Sequence, residues 1–462
     1  MSARNRELLA LIPAALLVSV GFAAVFLSRG DLVGGLGGRN EISDLSITYG
    51  GIFLGLCVAA HLVLRLTLRD ADPYLFPLAA LLACFGLVEI YRIDAALARQ
   101  QAQWFVIGLL LFSVAIITLR DYRVLERYRY LIVLGGFLLL LLPRFFAPVN
   151  GAYLAIRVGS LSLQPAEFAK LAMVIFLASY LRDTRQLLVT AGRRVLGVTI
   201  PPLKHFGPML VIWGTSMALL FFIRDIGSSL MFFGALLAML YVATSRLSFV
   251  VVGLLLFFGG AYVVAGAVPH IADRLDAWQH PFDPQLYQAG TSYQLAQSLF
   301  AQADGGVLGR GFGQAVLDIS GLVGGECTST VQCSMLPAPH TDFIYAVIVN
   351  ELGLTGGALL LCVYLLIVQR GFKIAMLARD SFSKLLAAGL TAVFALQVFV
   401  IVGGVTKLIP LTGVTLPFVS YGGSSILANF VLLALLLMVS DRARREAGVG
   451  AGRRRKLPGR AG

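Results

Sequence analysis

Long apolar runs separated by short polar ones set the rhythm of this chain. Runs of spanning length fall near residues 8–28, 46–68, 73–92, 103–119, 129–147, 164–182, 207–223, 225–243, 247–267, 341–369, 384–409 and 422–440. A hydrocarbon layer about 30 Å thick is crossed by about 20 helical residues, so each run predicts a transmembrane helix. Backbone in lipid must satisfy its own hydrogen bonds. The expected fold class is therefore all-α, a polytopic membrane helical bundle of about twelve transmembrane helices. The run at 207–223 carries the weakest signal. The first run could open a signal peptide, but no small-residue cleavage site follows and it is long enough to span.

The rhythm breaks between Pro269 and Pro339, where a long polar stretch separates two apolar runs. Backbone outside the bilayer is free to be irregular, and such loops tend to carry function.

Composition agrees with the pattern. The chain has 462 residues, is 58% hydrophobic and has a mean hydropathy of +0.84. A soluble domain could not hide that much apolar surface. The net charge of +13 would suggest nucleic acid in a soluble protein. Here its placement matters more. Arginines and lysines crowd alternate loops, among them Arg65, Arg69, Arg120, Arg123, Arg127, Arg182, Arg370, Lys373 and the tail Arg453-Arg454-Arg455-Lys456. The intervening loops hold far fewer. This positive-inside bias predicts both termini in the cytoplasm and residues 268–340 as a large extracytoplasmic loop. The expected organisation is an N-terminal pair of helices over 1–72, a core over 73–440 and a basic cytoplasmic tail over 441–462. The tail reads as a partner of anionic lipid headgroups, with no nucleic-acid role. No internal repeat of the inverted transporter type stands out.

Cys57, Cys84 and Cys362 lie in apolar runs, whereas Cys327 and Cys333 share the long loop. In an oxidising compartment the latter two could bridge or remain thiols. No zinc-type spacing is present.

Ionisable groups within apolar runs are costly and usually functional. Glu167 and Lys170 sit three apart in Gln164-Pro165-Ala166-Glu167-Phe168-Ala169-Lys170, on one helix face. They form either a self-neutralising pair or a polar wall of a cavity. Asp225 suits a helix N-cap, leaving Arg224 free for an anion. Thr341 and Asp342 also suit an N-cap, and Glu351 lies deeper in the same run. Prolines and glycines in Pro410–Ser425 break a helix at membrane depth, the mark of a segment lining a site. Gly309-Arg310-Gly311-Phe312-Gly313 has no preceding strand and is discounted as a phosphate-binding run.

These residues closely resemble the SEDS family (FtsW, RodA and SpoVE), over roughly residues 75–440. Gln164–Lys170 resembles the family's Q-P-S/A-E-F/L-x-K, Leu336–Phe343 its L-P-x-x-H-T-D-F, and Leu416–Ser425 its L-P-F-x-S-Y-G-G-S-S. The extra N-terminal helices and the Cys327–Cys333 loop look like a RodA-type actinobacterial member, with two helices added to a ten-helix core. The sequence departs from the family at Gly151–Arg157, which lacks the usual Arg-Trp. It departs again at Arg224, where proline is common, and at Asn350-Glu351, where a Glu pair is usual.

The resemblance implies a peptidoglycan glycosyltransferase that polymerises lipid II outside the cytoplasmic membrane beside a class B penicillin-binding protein. It places an essential aspartate in a P-x-x-D-P context before G-x-G/S-Y-Q, hence Asp283 in Pro281-Phe282-Asp283-Pro284, ahead of Gly290–Gln294. On residue chemistry alone Asp283 is equally a turn-initiating Asp-Pro. With the family it is the expected base for the acceptor hydroxyl. Glu167, Lys170, Arg157, Arg224, His340, Glu351, Ser420 and Tyr421 are the expected substrate-binding residues, with His280 and Asp304 as secondary groups. Fixed cations suit a leaving diphosphate. A divalent ion, Mg or Mn, could assist, but no motif names a metal ligand. The alternatives are a lipid II flippase and a non-catalytic scaffold for the cross-linking enzyme.

Overall fold

The computed structural model describes residues 3–28, 37–146, 156–158, 161–190, 193–195, 198–200, 203–223, 225–315 and 336–456. Among these residues, eight helices are long and apolar enough to cross a membrane. They run Gly50–Thr67, Leu75–Ile93, Ala95–Thr118, Ile226–Thr244, Leu247–Gly266, Ile344–Leu377, Ser381–Val405 and Gly423–Ala447. The four other predicted runs are helical as well, over Ile12–Ser28, Arg129–Leu141, Pro165–Thr190 and Leu203–Ala218. The helix Leu203–Ala218 has only 16 residues and passes into a π-helical turn at Leu219–Ile223, which accounts for its weak sequence signal. Two antiparallel hairpins of three-residue strands, Ile156–Val158 with Leu161–Leu163 and Arg193–Val195 with Val198–Ile200, decorate the bundle without changing its class.

The bundle has a clear inside. In Gly423–Ala447, 94% of the hydrophobic window is buried, against 11% in Leu247–Gly266. The first is the central post and the second faces outward with Leu255, Phe258, Tyr262 and Val263. Small residues let the helices approach. Gly86 meets the backbone of Phe418 and Val419, and Gly108 meets the Phe430 ring, as expected where lipid supplies no hydrophobic drive between helices.

Aspartates set several helix starts. Asp94 accepts from Ala96 and Leu97 N–H at 2.7 and 3.2 Å, so that helix opens at Ala95, well before the predicted 103. Asp225 caps at Ser228 N–H, 2.9 Å, and Asp380 at Ser383 N–H, 2.9 Å. Each carboxylate answers backbone donors left free in the first turn. The expected cap at Thr341 or Asp342 does not form. The helix opens at Ile344 after Phe343, with no side-chain cap.

That helix is also broken. Gly353 has φ 71°, and the segment after Gly305 bonds across the gap. Arg310 N–H donates to Asn350 O and Gly311 N–H to Glu351 O, while Leu354 and Thr355 N–H donate to Gly306 and Val307 O. A side chain at Gly309 or Gly353 would collide with the opposing backbone. The glycine run 309–313 therefore mends a helix break, and its positive-φ glycines turn the chain around it.

Candidate active site

The helix Pro165–Thr190 begins with proline at its first position, where a missing N–H costs nothing. Gln164 N–H just before it donates to Ser424 Oγ at 2.8 Å, tying the helix start to the central post. One turn in, Lys170 Nζ donates to Glu167 Oε2 and to Gln397 Oε1, both at 2.5 Å. Gln397 Nε2 in turn donates to Thr415 O at 2.9 Å and approaches Glu167 Oε1 at 3.4 Å. All three side chains are buried. A charge in the interior needs a partner and hydrogen bonds to be tolerated, and this trio supplies both. The pair also faces open space. A cavity beside it is walled by Gln164, Glu167, Lys170, Asp225, Ser228 and Gly413. The sequence left two readings of Glu167 and Lys170, and the structure realises both at once.

The opposite wall is the irregular segment between Thr406 and Gly422, held at depth by side chains rather than by a ladder. Ser420 Oγ donates to Thr341 O at 2.7 Å and accepts from Leu416 N–H at 2.9 Å. Gln101 Nε2 donates to Ser420 O at 3.0 Å, and its Oε1 accepts from Gly422 N–H at 3.1 Å. Tyr421 N–H donates to His340 O at 2.8 Å, its hydroxyl donates to Gln100 Oε1 at 2.6 Å, and its ring lies edge-on to His340 at 5.8 Å. Burial lowers the His340 pKa, with Asp94 pulling it back up, so the ring favours its neutral form. The L-P-x-x-H-T-D-F and L-P-F-x-S-Y-G-G-S-S motifs thus form one interlocked unit. Within it Ser420 and Tyr421 spend their polar atoms on the scaffold.

The long connection begins with the helix Pro269–Gln279. Arg274 Nη1 donates to Leu411 O at 3.0 Å, and Trp278 Nε1, one turn on, donates to Lys407 O at 3.0 Å. Arg274 lies in the field of Asp225 and Asp342, while burial depresses its pKa. Burial pushes the Asp342 carboxyl up to about 6, with Arg274 pulling it down. Burial also raises Asp225, opposed by its bonds to Ser228 and by Arg274. Four residues past this helix, Asp283 is exposed and caps the short helix Pro284–Gln288, accepting from Gln285 and Leu286 N–H at 2.8 and 3.2 Å. The Asp-Pro turn expected from residue chemistry is realised, and one carboxylate edge remains toward solvent. Next, Tyr293–Gly305 returns to the bundle, where Ser298 Oγ and Gln302 Nε2 both donate to Val405 O.

The structure separates Glu351 from this group. It is fully buried, pairs with Arg92 at 2.5 Å, and accepts from Gly313 and Ala315 N–H. Arg92 also donates to Ala315 O at 2.8 Å. Glu351 thus anchors the glycine run beside the helix break. Arg157 pairs with Ser162 across its hairpin, and its side chain lies outside the description. Arg224, Cys327 and Cys333 lie outside the described residues. His280 is exposed, and Asp304 pairs with Arg310 at 3.1 Å on the surface. Among the described residues no three His, Cys, Asp or Glu side chains gather to hold a metal ion. Sequence reasoning missed Gln397, Gln101, Arg274 and Trp278. The one available signal was Gln397, a lone amide inside the apolar run Phe394-Ala395-Leu396-Gln397-Val398.

The bundle, its broken segment and the buried ion pair beside a cavity define a polytopic membrane protein with a site at one end of the bundle. The chain belongs to the FtsW/RodA/SpoVE family, described as cell cycle proteins, which it matches over residues 74–445. It is 40% identical to the peptidoglycan glycosyltransferase RodA of Mycobacterium tuberculosis, over 96% of this chain and 91% of that protein. It is 32% identical to the stage V sporulation protein E of Bacillus subtilis, over 81% of this chain and 98% of that one. Among solved structures, a chain from a peptidoglycan synthase complex that coordinates polymerization and crosslinking superposes with a TM-score of 0.62. It is 26% identical and covers 81% of this chain and 98% of its own.

Proposed function

We propose that this chain is a peptidoglycan glycosyltransferase that polymerises lipid II at the outer face of the cytoplasmic membrane, beside a class B penicillin-binding protein. The carrying observation is convergence. Glu167, Lys170 and Gly413 of the Thr406–Gly422 segment wall one cavity, and the helix bonded to that segment at Lys407 and Leu411, Pro269–Gln279, leads on to Asp283. The 40% identity to a RodA glycosyltransferase supports the activity, and the likeness to a synthase-complex chain supports a cross-linking partner. The positive-inside pattern supports cytoplasmic termini and an outer site. Arg123, Arg127, Arg129 and Arg182 line one cleft with Glu126 and Asp183, a cationic excess that supports a cytoplasmic end.

In this reading the acceptor hydroxyl attacks the anomeric carbon of the donor. A C–O bond forms there as the bond to the polyprenyl diphosphate breaks, with inversion. Asp283 takes the hydroxyl proton, a task for an accessible carboxylate. Lys170 faces the cavity and is the described cation best placed for the leaving diphosphate. Arg157 and Arg224 are further candidates by sequence. The lipid tails stay in the bilayer, which is why a membrane bundle carries a sugar-transfer site.

The test is lipid II polymerisation by the purified chain, alone and with a class B partner, comparing wild type with Asp283→Asn and Asp283→Ala. Strands from wild type and a loss on the order of 100-fold or more in both variants is the expected result. Full activity in the variants removes Asp283 from the reaction. No strands from any version favours a flippase or scaffold.

A further inference from the structure

Asp283 itself is exposed, so its position depends on the arm that leads to it, whose first helix is fixed to the bundle. Its first helix grips the Thr406–Gly422 segment through two side chains one turn apart, Arg274 to Leu411 O and Trp278 to Lys407 O. Both acceptors are main-chain carbonyls of a segment with no ladder of its own, so the grip orders arm and segment together. Arg274 differs from Trp278 in one respect. Its guanidinium feels the charge of two carboxylates from different parts of the chain, Asp225 at the start of Ile226–Thr244 and Asp342 just before Ile344–Leu377, while its direct bond is to Leu411 O. The same small region includes Gly413, where an added Cβ would lie 3.9 Å from Asp342 Oδ2, and Gly413 also walls the Glu167–Lys170 cavity. Gly227 packs against Thr412 and Val414. The Leu411–Val414 stretch that Arg274 grips thus packs against the starts of both helices that carry these carboxylates.

We infer that Arg274 is a positioning residue. Drawn by Asp225 and Asp342 and bonded to Leu411 O, it locks the arm onto the cavity wall and so sets where Asp283 stands. The chemical role of the lock rests on the glycosyltransferase reading, whereas the lock itself does not. A guanidinium suits the position because it offers several donors in a fixed plane, whereas a lysine ammonium is a compact charge on a flexible stem whose donors have no fixed plane. Trp278 contributes a second, neutral hold.

The experiment pairs hydrogen exchange with kinetics on the full chain in lipid nanodiscs. Arg274→Ala should raise exchange at amides 271–280 by about tenfold or more, the size expected for losing a charge-assisted bond. Exchange within Ser381–Val405 should stay at the wild-type rate. Arg274→Lys should fall between, and Trp278→Phe should give a smaller rise. Polymerisation should drop in kcat with KM little changed, and the fall should track the exchange. Arg99→Ala, an exposed arginine away from the arm, should change neither readout. Wild-type exchange in Arg274→Ala overturns the lock. Raised exchange with undiminished kcat overturns its role in placing Asp283. If wild type makes no strands, the functional reading fails while exchange still decides the lock. Should Arg274→Ala not fold, Arg274→Lys and Trp278→Phe carry the same test.

Discussion

Glu167 and Asp283 are two carboxylates of one proposed site in opposite surroundings. Glu167 is buried, with Lys170 and Gln397 against it. Asp283 is exposed, bonded only to the first amides of its own short helix. A buried ion pair must be built into the fold, because desolvation is repaid only by close partners. An exposed cap costs the fold little, which leaves its free oxygen lone pairs to act on a substrate. The first group is bound into the frame, and the second is left accessible, as the proposed reaction requires. Asp283→Asn should give the sharpest form of this contrast. Asparagine caps a helix as well as aspartate, so the thermal midpoint should hold while polymerisation falls on the order of 100-fold or more. A matching fall in both would place Asp283 in the frame.

At the other pole, Lys170→Met should strand the Glu167 charge and destabilise by about 3–5 kcal/mol, read as a lowered thermal midpoint. The double change Lys170→Met with Glu167→Gln should recover most of that loss, since no uncompensated charge remains. It should not recover polymerisation. Recovery of both would leave the pair with a structural role alone.

Much of this architecture was legible in the sequence for simple physical reasons. Apolar length marks helices that lipid requires, and each of the twelve runs overlaps a helix among the described residues, eight of them long and apolar enough to span. The polar clusters at Glu167–Lys170 and Pro410–Ser425 stood out because lipid tolerates neither charge nor broken backbone without cause, and both contribute to the wall of one cavity. What stayed hidden depends on distant partners. Glu351 resembled a substrate ligand until Arg92, far away in sequence, proved to be its partner. The glycines at 309–313 looked idle until Gly353 broke the facing helix. Arg274 carried no local signal, because its meaning comes from Leu411, Asp225 and Asp342, contributed by three separate segments. Asp342 looked like a cap by position, but its carboxyl lies in the field of Arg274 across the site.

Asp342 offers an intermediate case, since it is half-buried with a cation near it but, among the described residues, no neutralising bond of its own. Its pKa is raised from 3.8 to about 6, so the fold disfavours the charged form. The cost to stability appears as pH rises from the lower value through the higher and is complete above it. The attraction to Arg274 behaves oppositely, present above about 6 and lost as the carboxyl protonates. Asp225, the other carboxylate facing Arg274, is raised by burial too, and shares in any acid weakening. Wild-type polymerisation should therefore show an acid limb near pH 6 that flattens in Asp342→Asn. That variant should also gain thermal stability relative to wild type as the buffer moves from pH 5 to pH 8. An unchanged limb would detach Asp342 from the working site.

The smallest expected effect decides on which side of the contrast Ser420 belongs. The sequence resemblance made it a substrate ligand, yet its hydroxyl is committed to Thr341 O and Leu416 N–H. Ser420→Ala removes both bonds and leaves a buried amide unsatisfied, which should destabilise by about 1–3 kcal/mol. If the hydroxyl serves only the frame, polymerisation per folded molecule should stay within about twofold, because Gln101 still holds Ser420 O and Gly422 N–H. A loss of tenfold or more at full folding, read as a raised KM for lipid II, would mean that the hydroxyl turns to the substrate when it binds. Ser420 would then join Asp283 rather than Glu167.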